Sequence, residues 1–478
     1  MNLPQANAMV PVNDLRNLNE ALRKATDAGY QTPSSGGGDI GPLMPQSIEG
    51  QLASATYTME ELVLWPRIPK RGVTQTVHEY VRVEEHGNDL DPFIAEGGGG
   101  TNNNATYTKE FVKVKYLAER REVTDVATMV GIIGNNSDAM AEETERGTLR
   151  LMGKVESALF HADENLNDLH FSGLLPQIRD KAPQNVTDLE GAHASPSLIQ
   201  SILGEVFAAP RYGKPDAIYV EPRVHAALIE QANAHGRHDQ VQVTNNTGIT
   251  YGVQHLKIMA PYGAVPVVAA PFLFRQYAPP DAAFGEDPPT ALSWKTQPVH
   301  DAALSGTSKW SSSDEGDFYW KVVGVGDEGY TAPLVSAATS VEADDKIKME
   351  IDDGAVVNGK ATNGAKYYRV YRSEQDGAAA TCRFVFEVKV NADGTDDATL
   401  ITDLHTVKRN TSSMLFLQHD PRIVEVVRLL DLLRRPLAEV KTTRPFLLMM
   451  FMAPEVKVAS KCWVVDGVGS PAPLEAAL

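Results

Sequence analysis

Three glycines invite the first chemical reading. In "FYWKVVGVGDEGYTAP", residues 318–333, Gly324, Gly326 and Gly329 spell G-x-G-x-x-G, the phosphate-cradling fingerprint of a dinucleotide site. That chemistry needs a helix directly after the last glycine, because the helix N-terminus holds the pyrophosphate. The chain instead continues as "YTAPLVSAATSV", with Pro333, several β-branched residues and no 3.6-residue apolar period. The stretch therefore reads as a strand, a glycine turn and another strand.

Other chemistry-bearing clusters are equally incomplete. "HGRHD" at 235–239 sets His235 and His238 beside Asp239, but without a further ligand in view it reads as a solvated helix end. His78-Glu79 lacks the second histidine of a metalloprotease pair. "NADGTDD" lacks the glycine and the distal acid of a calcium loop, and its Asp393-Gly394 reads as a hairpin turn. There is no G-x-S-x-G elbow, no C-x-x-C and no Walker loop. Cys382 and Cys462 are too few for a disulfide framework or a thiolate zinc cage, and read as buried apolar fillers in a reducing compartment. The expectation is a protein that is no enzyme, with no cofactor and no metal.

The charged residues carry more. "WPRIPKRG" and "KVKYLAERRE" place Arg67, Lys70, Arg71, Lys113, Lys115, Arg120 and Arg121 on or beside two strand-like runs. One reading is a charged face that keeps exposed strands from aggregating. The sharper one sets them against the acidic start of a neighbouring subunit's helix, at Glu142, Glu143 and Glu145, where they would steer and register assembly.

The elements that must position these groups can be read from periodicity. "GVTQTVHEYVRVEE" (72–85) puts Val73, Val77, Val81 and Val83 on one period-2 face. "TYTKEFVKVKYLAERREV" (106–123) sets Val112, Val114 and Tyr116 opposite Lys113 and Lys115. With the glycine-rich "DPFIAEGGGGTNNNA" between them, the two form a long hairpin that has little core of its own and needs another body to pack on. "NNSDAMAEETERGTLRLMGKVESALFHADENL" (135–166) reads as a long helix, capped by Asn136 or Ser137, with Leu149, Met152, Val155 and Leu159 as its apolar stripe. Mixed α/β material comes next: helices near 196–209 and 222–234, and strands in "DAIYVEP", "VQHLKIMAP" and "AVPVVAAPFLF". From about 285 to 413 the chain turns acidic and all-β, with strands "DKIKMEI", "AKYYRVYRS", "CRFVFEVKV" and "ATLITDL" between glycine turns, as in a sandwich of roughly 100 residues. Two β-like runs, 414–427 and 446–465, close the chain.

At 478 residues and 42% hydrophobic the chain can bury a real core. The longest apolar run, "PFLLMMFMAP", is too short to span a bilayer, and the N-terminus lacks the pattern of a signal peptide. A net charge of −18 argues against a dedicated nucleic-acid binder.

The order of elements resembles the major capsid proteins of tailed bacteriophages with the Hong Kong 97-type fold. The resemblance implies an α+β fold divided into an N-terminal arm (1–55), an E-loop hairpin (56–130), a spine helix with peripheral and axial body (131–284), an inserted β-sandwich (285–413) and closing strands (414–478). "DFYWKVVGVGDEGYTAPLVS" and "GAKYYRVYRS" are similar to strands of a fibronectin type III or immunoglobulin-like module, in reversed order. Some phage capsid proteins carry such a module, followed by a segment like "NTSSMLFLQHDPRIVEVVRLLDLLRRPLAEV". The resemblance further implies hexamers and pentamers that enclose double-stranded DNA without reading its sequence. Portal, scaffold and decoration proteins are the implied partners, with assembly in the host bacterial cytoplasm and no membrane. No motif assigns the lysine, asparagine and glutamate with which some relatives cross-link. Two alternatives remain open: an encapsulin-type compartment, and an extracellular enzyme carrying a fibronectin-like module.

Overall fold

The computed structural model describes residues 56–471, apart from stretches within 88–101 and within 355–362 and the segments 130–137, 235–255, 302–307, 391–397 and 440–441. The "HGRHD" and "NADGTDD" clusters lie outside the described residues. The larger of two compact units comprises Thr56–Asp125 and Glu143–Leu478; Val126–Glu142 belongs to the other. In that smaller unit the described residues include most of the short helix Asp125–Met129 and the start of the long helix Ala139–His161.

The expected hairpin forms from Val77–Glu85 and Thr106–Lys113, antiparallel, with Tyr80 opposite Glu110 and Val81 opposite Lys109. The expected single strand over 106–123 does not continue as one. It breaks at Val114, which is buried and donates its amide to the Thr76 carbonyl at 2.9 Å. Beyond the break, Lys115–Thr124 leaves the hairpin and joins a four-stranded sheet in the order Lys70–Gly72, Val424–Pro436, Thr443–Val456, Lys115–Thr124. The apolar run "PFLLMMFMAP" is the middle of its third strand, which carries Pro445 opposite Glu122 and Pro454 opposite Val426. Long helix and sheet share one core: Met152, Val155, Leu159 and Phe160 meet Val424, Val426, Met450 and Met452. Of the expected stripe, Met152, Val155 and Leu159 are buried and Leu149 is half-buried.

A six-stranded sheet completes the body, ordered Val186–Asp188, Trp463–Gly469, Thr411–Leu417, Ala217–Val220, Gly263–Ala269, Lys257–Ala260. Both of its faces are covered, so its strands read as continuous apolar runs. Leu415, Leu417, Tyr219 and Val464 face the core of the long helix. Met414, Phe416, Ile218, Val220 and Val465 face helices Pro196–Phe207 and Pro222–Ala234 through Ile199, Leu203, Val224 and Leu228. That division is the period-2 alternation of a strand.

Between the body strands Gly263–Ala269 and Thr411–Leu417 lie two larger sheets, with two small strand pairs beside them. Trp294–His300, Ile347–Asp352 and Ala398–Asp403 form one. Trp320–Val325, Tyr367–Arg372 and Arg383–Lys389 lead the other, with Glu328–Tyr330 and Phe284–Asp287 at its far side. Trp320, Val322, Val370, Met349, Ile351 and Ile401 pack as one core between them, so the region is a two-layer β structure. The glycine triplet is a strand turn: the Gly326 amide donates to the Gly329 carbonyl at 2.9 Å, and Leu334–Val335 returns to pair with Trp320–Val325. A Cβ on Gly329 would stand 2.3 Å from the Phe284 carbonyl oxygen, so this glycine permits close strand approach. Among the described residues no helix is long and apolar enough to cross a membrane.

Candidate functional site

The hairpin has two unlike faces. On the inner one Tyr80 is buried and donates its hydroxyl to Glu110 Oε2 at 2.5 Å. Lys181 on the helix Leu174–Lys181 donates to the Tyr80 hydroxyl at 2.8 Å, to Glu110 at 2.7 Å and to the Val456 carbonyl at 3.0 Å. Arg82 reaches Glu110 at 3.2 Å and the Lys457 carbonyl at 3.3 Å. Burial opposes ionisation of Glu110, yet the hydrogen bonds from Lys181 and Tyr80 hold its carboxyl below the usual range. These contacts lock the inner face to the body.

The outer face carries the valines. Val77, Val81 and Val83 are all exposed, Val81 by 63%, together with Tyr107 and Phe111. The expected alternation is present, and it points these valines away from the core; Val73 is half-buried. Lys109 pairs with Glu79 across the strands, and Lys113 Nζ lies 6.0 Å from the Phe111 ring centroid.

The other basic residues are spread around the hairpin root. Lys70 donates to the Trp65 and Ile68 carbonyls, with its Nζ 4.5 Å from the Trp65 ring centroid; burial pushes its pKa down. Arg71 meets Glu425 at 3.5 Å. Lys115 meets Glu164 at 2.9 Å and Arg120 meets Glu122 at 3.5 Å. Exposed Arg67 ends the short helix Leu64–Arg67 and works against the upward push that burial gives the Tyr219 phenol. Arg121 pairs with Glu119 at 2.6 Å and with Glu143 at 3.2 Å within one chain, and Arg150 joins Glu119 at 3.1 Å. Glu142 lies in the first turn of the long helix, and Glu145 stands exposed one residue beyond Glu143–Thr144.

Two arrangements join residues far apart in the chain and escape a local reading of the sequence. Buried Glu156, on the long helix, accepts the backbone amides of Val63, Leu64 and Trp65 at 2.9, 2.6 and 2.8 Å. It thus caps the short helix, whose first amides have no partner of their own. Burial raises its pKa, and the three amides oppose that rise.

The second arrangement joins His78 of the inner face to Glu425 and Glu455, which stand directly opposite each other in the four-stranded sheet. Glu455 is fully buried, and neither of its oxygens has a hydrogen-bond partner among the described residues. His78 Nε2, likewise unpartnered, lies 3.8 Å from Glu455 Oε2. Burial, ahead of the opposing Lys457, lifts the Glu455 carboxyl to about 7. Glu425 is stabilised by Lys457 at 2.6 Å. A lone carboxylate inside each of the apolar runs "RIVEVV" and "FMAPEV" was the visible trace, but their pairing needs the sheet register. Both cysteines are buried, which pushes the Cys382 thiol to about 11 and that of Cys462 to about 12.

Neither an oxyanion cradle nor a nucleophile beside a base emerges from these groups; they bind strands to helices and hairpin to body. Comparison with known proteins agrees in kind. The sequence profile of the SU10 major capsid protein family matches residues 27–300, more than half of the chain. The chain is similar to the major capsid protein of Staphylococcus phage K, 23% identical over 456 residues, covering 92% of this chain and 93% of that one. Among solved structures it is similar to the holo-SrpI encapsulin complex of Synechococcus elongatus PCC 7942, with a TM-score of 0.42, 10% identity, and 87% of this chain and 92% of that chain covered. It is also similar to the capsid of a native GTA particle, with a TM-score of 0.44, 9% identity, and 93% and 98% covered. On the strength of the profile match, the chain belongs to the SU10 major capsid protein family.

Proposed function

We propose that this major capsid protein closes its shell by laying the outer face of the hairpin on a neighbouring subunit, within hexamers and pentamers of the Hong Kong 97-type arrangement. One observation carries the reading. Val77, Val81, Val83, Tyr107 and Phe111 form an exposed apolar face on a two-stranded element whose other face is already locked to the body. Exposed apolar side chains gathered on one face mark an interaction site, and a two-stranded element gains most from being covered. Lys109 and Lys113 on this face, Arg120 on the neighbouring sheet strand, and Glu142 and Glu145 on the long helix are the charges that would register one subunit on the next.

The shell would enclose double-stranded DNA without sequence-specific contacts, in keeping with a net charge of −18. Portal, scaffold and decoration proteins would complete the particle, built in the host bacterial cytoplasm. The two-layer β region enters the chain between two strands of one body sheet, and the family match stops at residue 300, early in it. Both facts support an inserted module, and we place this immunoglobulin-like sandwich on the outer surface as part of the proposal. The phage source of the curated relative supports a virion over an encapsulin compartment.

The test is V81D together with F111D. Both positions are exposed, so the unassembled chain should keep its melting temperature while shells disappear from light scattering and negative-stain images. Shells formed by the double variant at the yield of the unaltered chain would overturn the proposal.

A further inference from the structure

His78, Glu425 and Glu455 come together where the hairpin meets the four-stranded sheet. Two carboxylates directly opposite each other in an antiparallel pair repel, and here both are buried. Lys457 and Arg71 hydrogen-bond only one of them, and both reach the same oxygen, Glu425 Oε1. Glu455 keeps two buried oxygens without a donor, and a buried carboxylate left in that state costs free energy. The hairpin then sets His78 Nε2, also buried and unpartnered, above this pair.

One ligand atom from each of the three residues lies within 4.8 Å of the others. The gap of 3.8 Å between His78 Nε2 and Glu455 Oε2 is too long for a hydrogen bond. It is close to the spacing of about 3.4 Å between two ligands held roughly 2.1 Å from one tetrahedral ion. We propose that His78 Nε2, Glu425 and Glu455 bind one divalent transition cation of the Zn²⁺ class, which pins the root of the hairpin to the four-stranded sheet. One imidazole with two carboxylates suits Zn²⁺, whereas Ca²⁺ takes six to eight oxygens and Mg²⁺ keeps most of its water. A water molecule would fill the fourth position. Three ligands on three strands, two on the body and one on the hairpin, make the ion a clamp between them.

The experiment uses the full chain, assembled or not, because the site lies within one subunit. Chelated protein is titrated with Zn²⁺, Mn²⁺, Ca²⁺ and Mg²⁺ in turn, and bound metal per chain is read by mass spectrometry alongside thermal unfolding. One Zn²⁺ per chain and a raised melting temperature are expected, with Ca²⁺ and Mg²⁺ inert. E455Q, which mimics a protonated carboxyl, and H78A should each weaken binding by about tenfold or more. If either variant fails to fold, Co²⁺ bound to the unaltered chain reports its ligand set by visible absorption, and a tetrahedral spectrum is expected. No stoichiometric metal on the unaltered chain, Zn²⁺ affinity unchanged in both variants, or an octahedral all-oxygen Co²⁺ spectrum overturns the proposal.

Discussion

Arg121 and Glu143 meet at 3.2 Å within a single chain, tying the strand Lys115–Thr124 to the long helix. Arg121 also holds Glu119, which Arg150 shares from the helix nearly two turns further along. Both partners remain partly exposed, so a double-mutant cycle with R121Q and E143Q should give a coupling of about 0.5 kcal/mol in the unassembled chain. Coupling that appears only in assembled shells would transfer the pair to a contact between subunits.

Glu156 makes a stronger bond to the chain. Its carboxylate gathers three successive amides, and E156A leaves all three without this acceptor, that of Leu64 in a buried setting. A loss of about 3 kcal/mol or more is expected from chemical denaturation, because charge-assisted bonds are replaced by unsatisfied donors. E156Q retains one acceptor oxygen and should lose roughly half as much. Equal stability of E156A and the unaltered chain would show that the cap contributes nothing.

In the β region, buried Arg372 holds Asp403 with contacts of 2.7 and 2.9 Å, and the Trp320 indole donates to the same carboxylate at 2.9 Å. D403N leaves a guanidinium in the core without its counter-charge, and should lower stability by roughly 3–5 kcal/mol. A loss below about 1 kcal/mol, measured by thermal unfolding, would mean that water reaches Arg372.

Acid should loosen the protein through two histidines. Burial, then Arg275 and Arg179, hold His161 well below its usual value of 6.5. Burial, then Arg372, bring His405 to about 4. Each stays neutral in the folded chain while its unfolded counterpart takes up a proton near pH 6.5. The unfolded state therefore binds more protons below that pH, and stability present above it is lost as pH falls toward about 4. Each histidine contributes a slope of at most about 1.4 kcal/mol per pH unit in that window. H161Q, which can still donate to the Leu273 carbonyl, should flatten the curve measured by denaturation at pH 7, 6 and 5; an unchanged curve would exclude His161.

Local pattern was enough for most of the elements. The apolar spacing of Met152, Val155 and Leu159 marks the long helix, and the turn glycines mark the strands around Trp320–Val325 and Tyr367–Arg372. The same periodicity placed Val77, Val81 and Val83 on one side of a strand. It could not say that this side faces outward, because a period of two groups residues by face without naming the face that meets the body. The break at Val114 was hidden for a related reason: alternation continues through it, and only the rival pull of Thr443–Val456 draws Lys115–Thr124 away from the hairpin. Glu425 and Glu455 become neighbours through sheet register, and His78 reaches them because the hairpin folds back over that sheet. Periodicity is a property of neighbouring residues, so the chain alone determined the helices and strands; pairing distant carboxylates takes loop closure and a shared core, which only the folded body supplies.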